Sequence, residues 1–227
     1  MLENVPSKTT VSKIKEESNE KVEFDEVKEC NGIENIVPTF INNEVGNVAA
    51  KKGTLMHLML QKIEFGREYS KEELDELVEK LVANKIVLEE DKSLINTYKI
   101  LMFTKSELYK KISLSKQIEK EKAFCMKLKL EEYNDLQINE ENLDAIKDLK
   151  ESVLVQGIID LYSVDSDDEI ILVDYKTDYV EDGNEQVLVK RYSKQLELYK
   201  KCLEEGLDLK VKEIYIYSLY LNKEIKL

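Results

Sequence analysis

The sequence predicts a mixed α/β fold, a central sheet flanked by helices with a helical N-terminal part. Three observations predict it: a helical period of three and four through the first half, a two-residue period beginning near Lys116, and a hairpin followed by a long helix and a closing strand. The chain has 227 residues, enough for one domain of about 17 Å radius of gyration. Its 42% hydrophobic content, including 12 Tyr, supports a folded core under a heavily charged surface.

The elements follow in order. Residues 1–46 are polar with short apolar islands and read as an arm or connecting segment, and residues 47–227 as the main domain. Within the arm, SKTTVSKIKEES offers a Ser or Thr cap and a possible helix start. From Lys51 to Ile63, the apolar residues Leu55, Met56, Met59, Leu60 and Ile63 form the stripe of an amphipathic helix. Ser70 and Glu73 make a capping box for a second helix reaching about Ala83, and the same period continues from Lys92 to Ile112.

At KAFCMKLKL the apolar Phe124, Met126, Leu128 and Leu130 alternate with Cys125, Lys127 and Lys129, as one half-buried strand requires. VLVQGIIDLYSV (153–164) and EIILVDYKT (169–177) flank DSDD and read as an antiparallel hairpin. A helix is expected from about Glu185 to Glu205, ended by Gly206 in the left-handed conformation, before a strand at EIYIYSLYL (213–221).

Charge and composition exclude several classes. The formal charge of −13 repels polyanions at long range, so a free-standing nucleic-acid clamp is not expected and a nucleic-acid substrate would need a metal or a partner. No apolar run approaches the roughly 20 residues of a membrane span, and no secretory signal opens the chain, so a cytoplasmic protein without membrane contact is expected. Cys30, Cys125 and Cys202 are far apart and read as reduced thiols.

The hairpin carries the chemistry. Asp174 and Lys176 interrupt an apolar strand, and two residues apart on a strand they share one face. A three-residue loop, Ser166 to Asp168, would set Asp160 directly opposite Asp174, with Cβ atoms roughly 5 Å apart. Two carboxylates that close repel, and a divalent cation such as Mg²⁺ between them reverses the sign. In the plainer alternative both acids cap strand ends and Lys176 forms a salt bridge with one of them. His57, the sole histidine, is either a third ligand or a packing residue on its helix. Gln195 and Tyr199 lie four apart on one helix face, where they could bind a phosphate, brace Lys176, or form an ordinary amphipathic side.

Together, GTLMH (53–57), VQGIIDLY (155–162), VDYKTD (173–178) and YSKQLELY (192–199) resemble the motifs of RecB-type nucleases. The chain is similar to the PD-(D/E)XK superfamily, with its restriction-endonuclease-like core, and within it to the C-terminal nuclease domain of AddA-type helicase-nucleases. PSKTTVSKIKE (6–16), VPTFI (37–41) and EKAF (121–124) extend the likeness, with Ala123 where the family commonly has Pro.

The resemblance implies that His57, Asp160, Asp174 and the Tyr175 backbone carbonyl bind Mg²⁺, for which Mn²⁺ would substitute. Lys176 would orient the attacking water or stabilise phosphate charge, and Gln195 and Tyr199 would support Lys176 or the DNA strand. Glu121 is a weaker carry-over. The family's four-Cys iron-sulfur cluster is not expected, and no G-x-x-x-x-G-K-[ST] motif provides an ATP site.

The implied activity is an Mg²⁺-dependent DNA exonuclease that processes double-strand breaks, leaves 5′-phosphates and degrades the 3′-ended strand. The remaining helicase domains of a longer polypeptide and an AddB-like partner would deliver the single-stranded end. The alternatives are a stand-alone phage or recombination exonuclease, an inactive nuclease-like binding module, and an unrelated acidic interaction module.

Overall fold

The computed structural model describes residues 8–10, 46–129, 152–181 and 184–227. The arm from 11 to 45, with VPTFI and Cys30, and Leu130 lie outside the described residues.

Strand β1 (Lys8–Thr10) is followed by helix α1 (Gly46–Lys62), α2 (Lys71–Ala83), a 3₁₀ segment (Glu89–Leu94), α3 (Thr97–Thr104) and α4 (Glu107–Ser113). Then come β2 (Gln117–Lys129), β3 (Ser152–Val164), β4 (Ile170–Lys176), α5 (Gln186–Leu207), β5 (Val211–Ser218) and β6 (Lys223–Lys226). All six strands belong to one mixed sheet: β3 pairs antiparallel with β2 and β4, β4 runs parallel to β5, and β6 closes antiparallel on β5.

The expected helix start in SKTTVSKIKEES is corrected at Lys8–Thr10, which pair in parallel with Leu154–Gln156 of β3. The β-branched Thr pair suits a ladder better than a helix. The stretch from Lys92 to Ile112 is not one helix. It breaks where Asn96 caps α3 through the Lys99 amide and Ser106 caps α4 through the Tyr109 amide. The Ser70–Glu73 capping box of α2 forms in both directions, at 3.2 and 2.8 Å.

Gly206 does not end α5. The helix runs on to Leu207, and Asp208 takes the left-handed conformation at φ 53°, its N–H bonded to the Glu204 carbonyl. Asp tolerates that region because its short polar side chain can bond locally.

Two apolar layers enclose the sheet. On one face α5 packs Leu188, Tyr192, Leu196, Tyr199 and Leu203 against Val155, Tyr162, Leu172 and Ile216. On the other, α1 to α4 pack against Leu161, Ile171, Val173, Tyr175 and Tyr217. Covered on both sides, β4 reads as a continuous apolar run broken by Asp174 and Lys176. Fully buried Phe103 joins the second layer to the sheet, its ring edge-on to Tyr109, Tyr175 and Tyr217 at 5.6, 5.3 and 4.8 Å. Glu213 ties the same layer to β6, taking Lys111 from α4 and Lys226 from β6, each at 2.6 Å.

Phe103→Ala is expected to cost about 3–5 kcal/mol of unfolding free energy, read by urea denaturation. Desolvation opposes the Glu213 charge, but the lysines outweigh it and hold its carboxyl down at about 2. A depressed carboxylate stabilises above its unfolded value and loses that contribution as pH falls through the folded one. The denaturant midpoint of Glu213→Gln should therefore lie below that of the native chain at neutral pH, with the gap closing as pH drops from 4.5 towards 2.

Candidate active site

The site grows from an interruption in the sheet. One edge of β3 is taken along its length by β2, while the other is divided between β1 at Leu154–Gln156 and β4 at Leu161–Val164. Residues 157–160 have no strand partner on that second edge among the described residues. Asp160 stands at the fork.

The hairpin loop has the expected length. The Asp165 N–H donates to the Glu169 carbonyl at 2.9 Å, and Asp168 turns the chain at φ 64°. The resulting register, Leu161 against Val173, carries Asp160 to the level of Asp174, where the ladder stops. The Tyr175 N–H then donates to Asp160 Oδ2 at 2.8 Å. On the other side, the pairs Lys120–Leu161 and Lys122–Ile159 flank Glu121, which brings it level with Asp160. Glu121 adopts a left-handed φ of 52°, a strain of about 1–3 kcal/mol for a residue with a Cβ.

Side-chain alternation slips at this point on both strands. Ile118 faces the helical layer while Phe124, Met126 and Leu128 face α5, although all four are even-numbered. On β3, Ile159 and Tyr162 both face α5. Three carboxylates from adjacent strands, Glu121, Asp160 and Asp174, thus occupy one level of the sheet.

Helix α1 supplies the imidazole. It starts at Gly46, earlier than expected, and crosses the end of β4 closely enough that a Cβ on Gly53 would meet Thr177 Oγ1 at 3.2 Å. One turn on, His57 Nδ1 lies 3.3 Å from Asp160 Oδ1. Lys120 holds the end of this helix by donating to the Gln61 and Ile63 carbonyls, both at 2.7 Å. Ligand atoms of His57, Glu121 and Asp160 all fall within 4.8 Å of one another.

Asp174 and Lys176 form the ion pair of the plainer reading, at 2.5 Å and nearly fully buried. Their surroundings are not those of a simple strand-end bridge. Lys176 Nζ donates to Gln195 Oε1 at 3.3 Å and lies 4.2 Å from the Tyr192 ring centre, while Gln195 Nε2 reaches Tyr199 Oη at 2.8 Å and Asp174 Oδ1 at 3.5 Å. The buried Asp174 Oδ2 nevertheless receives no hydrogen bond of good angle. Tyr175 turns its ring to the helical layer, edge-on to Phe103 at 5.3 Å and to His57 at 6.0 Å, while its backbone N–H bonds Asp160.

The electrostatics show an excess of negative charge. Burial pushes the Asp174 carboxyl up to about 6 even against the Lys176 charge, and the nearby Asp160 adds to the rise. Burial and Asp160 likewise raise Glu121. Burial disfavours the charged form of Asp160, yet His57 and Lys176 hold its carboxyl below the usual range. The His57 imidazole, opposed by burial, is raised by Asp160. Clustered carboxylates that burial and mutual repulsion hold at a cost favour a divalent cation among them. The His57–Glu121–Asp160 donor set fits such an ion.

All seven residues singled out in the sequence lie in this region, and two networks join at the fork: His57 with Asp160, and Asp174 with Lys176, Gln195 and Tyr199. The sequence reading gave no role to Tyr192 or Asp178. The Tyr192 phenol donates to the Asp178 carboxylate, 2.8 Å from each oxygen, and Arg191 bonds it at 2.9 Å. Tyr192 precedes Gln195 by three residues, so helical periodicity already placed it on the same face.

The chain is similar to several known proteins. The chain is 36% identical over 223 residues to an ATP-dependent helicase/nuclease subunit of Thermoanaerobacter sp. (strain X514), covering 97% of this chain and 17% of that protein. It is 37% identical to the like-named protein of Clostridium beijerinckii over 192 residues, 85% of this chain and 15% of the relative. The like-named protein of Clostridium perfringens (strain SM101) is 38% identical over 183 residues, 79% and 14% of the two chains. The chain therefore spans about a sixth of the length of the curated relatives it matches. No helix among the described residues is long and apolar enough to cross a membrane. The model of the PD-(D/E)XK nuclease superfamily matches residues 33–226, from the arm through the acidic fork to the last strand, and the chain belongs to that superfamily.

Proposed function

We propose that the chain is an Mg²⁺-dependent deoxyribonuclease that hydrolyses phosphodiester bonds exonucleolytically, as the nuclease domain of a longer helicase-nuclease that processes double-strand breaks. The observation that carries this reading is the convergence of His57, Glu121 and Asp160 beside the buried Asp174–Lys176 pair. Relatives named as helicase/nuclease subunits support the larger setting, in which other helicase domains and an AddB-like partner deliver a 3′-ended single strand in the cytoplasm.

His57, Asp160 and Asp174, with Glu121 and the Tyr175 backbone carbonyl, would hold the ion, and Mn²⁺ would serve in its place. A bound Mg²⁺ would supply Lewis-acid charge to the scissile phosphate and make a water easier to deprotonate. The chain's own groups do the positioning. Lys176, kept as an ammonium by Asp174 and Asp160 against its burial, presents N–H donors to a phosphate oxygen or to the attacking water. Gln195 accepts from Lys176 through Oε1 and reaches Asp174 and Tyr199 through Nε2, which fixes the amide orientation and limits Lys176 to few rotamers. The Tyr192 ring supports the same ammonium from below.

Asp174→Asn and Lys176→Ala are each expected to lower single-stranded DNA cleavage in Mg²⁺ by at least about 10²-fold, the scale of removing one electrostatic stabiliser. Cleavage undiminished in both would refute the assignment. Chelation should abolish activity, and added Mg²⁺ or Mn²⁺ should restore it. Saturating metal at about 100 times its dissociation constant should stabilise the native chain by about 2.7 kcal/mol and Asp160→Asn by much less, measured by thermal unfolding.

A further inference from the structure

Strands β4 and β5 end at Lys176 and Ser218, and an exposed tyrosine follows each within three residues. Lys176 and Ser218 are a register pair, and the Leu219 N–H donates to the Lys176 carbonyl at 2.8 Å. Tyr179 therefore follows a residue of the site by three positions, within about 11 Å of chain. Tyr220 follows the register partner of that residue by two. Their rings meet edge to face, 4.8 Å between centres at 67°, yet Tyr179 remains 69% exposed and Tyr220 42%. A pair crossed at this angle leaves ring surface free to stack on a third ring.

One ammonium group accompanies the tyrosines. Lys99, at the start of α3, donates to the Tyr220 carbonyl at 2.6 Å and lies 5.5 Å from its ring centre. It makes no ion pair with a carboxylate among the described residues. Lys99, Tyr179, Val180, Tyr220 and Leu221 line an open depression of about 490 Å³, large enough for a nucleobase. In a chain of charge −13, paired aromatic faces a few residues beyond Lys176 and Ser218, with an unneutralised lysine beside them, favour a polyanion bearing flat rings.

We propose that Tyr179 and Tyr220, with Lys99, form a stacking subsite for a base of single-stranded DNA next to the scissile phosphate. This rests on the nuclease reading above and adds a recognition surface to it. Stacking uses the π-face that every base shares, so the subsite would hold the strand without selecting sequence. Lys99 would attract an adjoining phosphate.

The test is equilibrium binding of a fluorescein-labelled oligothymidylate to the 227-residue chain in Ca²⁺, followed by anisotropy. The pair Tyr179→Ala and Tyr220→Ala should weaken binding about tenfold, within the range for loss of a base stack. The pair Tyr179→Phe and Tyr220→Phe, which keeps both rings, should bind as the native chain does. The same oligonucleotide carrying 5-iodouracil should photocross-link to Tyr179 or Tyr220.

Equal affinity in the alanine pair, no measurable binding by the native chain, or cross-links only to other residues would overturn the subsite, including the case where the patch seats another polypeptide instead. Steady-state cleavage of the unlabelled oligothymidylate in Mg²⁺ separates the two readings. The alanine pair should raise KM about tenfold and keep kcat, whereas absence of cleavage by the native chain would count against the nuclease assignment itself.

Discussion

Everything in this molecule is arranged around the cost of placing Glu121, Asp160 and Asp174 at one level of a sheet covered on both faces. Side by side in a regular ladder, their charges would meet with little water to screen them. The sheet answers by opening: β4 stops pairing with β3 at Val173, Glu121 swings to a positive φ, and the side-chain alternation of β2 and β3 slips together. A backbone amide from Tyr175 and an imidazole from α1 enter the gap. The same opening thus gathers three acids, an imidazole and a backbone amide at one fork.

Much of the fold was legible because its signals are local. The stripe at Leu55 to Ile63, the Ser70–Glu73 box and the alternation from Phe124 to Leu128 each depend on residues within a few positions of one another. What escaped is decided at a distance. Lys8–Thr10 forms a strand only because the edge of β3 is there to receive it, and β6 forms only against β5. Gly206 looked like the better helix terminator, but the end of α5 is set where Glu204 bonds both the Asp208 and the Val211 amides.

The site divides in the same way. Counting along the hairpin gave the loop length and the register that carries Asp160 to the level of Asp174, though not the slip in alternation there, and the four-residue spacing of Gln195 and Tyr199 was enough to put them together. The motif resemblance supplied His57, which no local pattern connects to β3. Glu121 stood only as a weaker carry-over, since its approach requires a backbone excursion that a string of letters does not encode. Tyr192 and Asp178 were within reach of helical and motif spacing, but their pairing needs the turn between β4 and α5 to bring one over the other.

The short N-terminal strand has a consequence for dissecting the molecule. It is joined to the body through a segment of 35 residues and fills the part of the β3 edge next to the fork. A truncation starting at Gly46 would keep every helix and every acid described above, yet it would strip the backbone donors and acceptors of Leu154–Gln156 of their partner. A bare strand edge of that kind invites intermolecular pairing. The boundary of the folding unit is thus drawn by three residues far upstream in the chain.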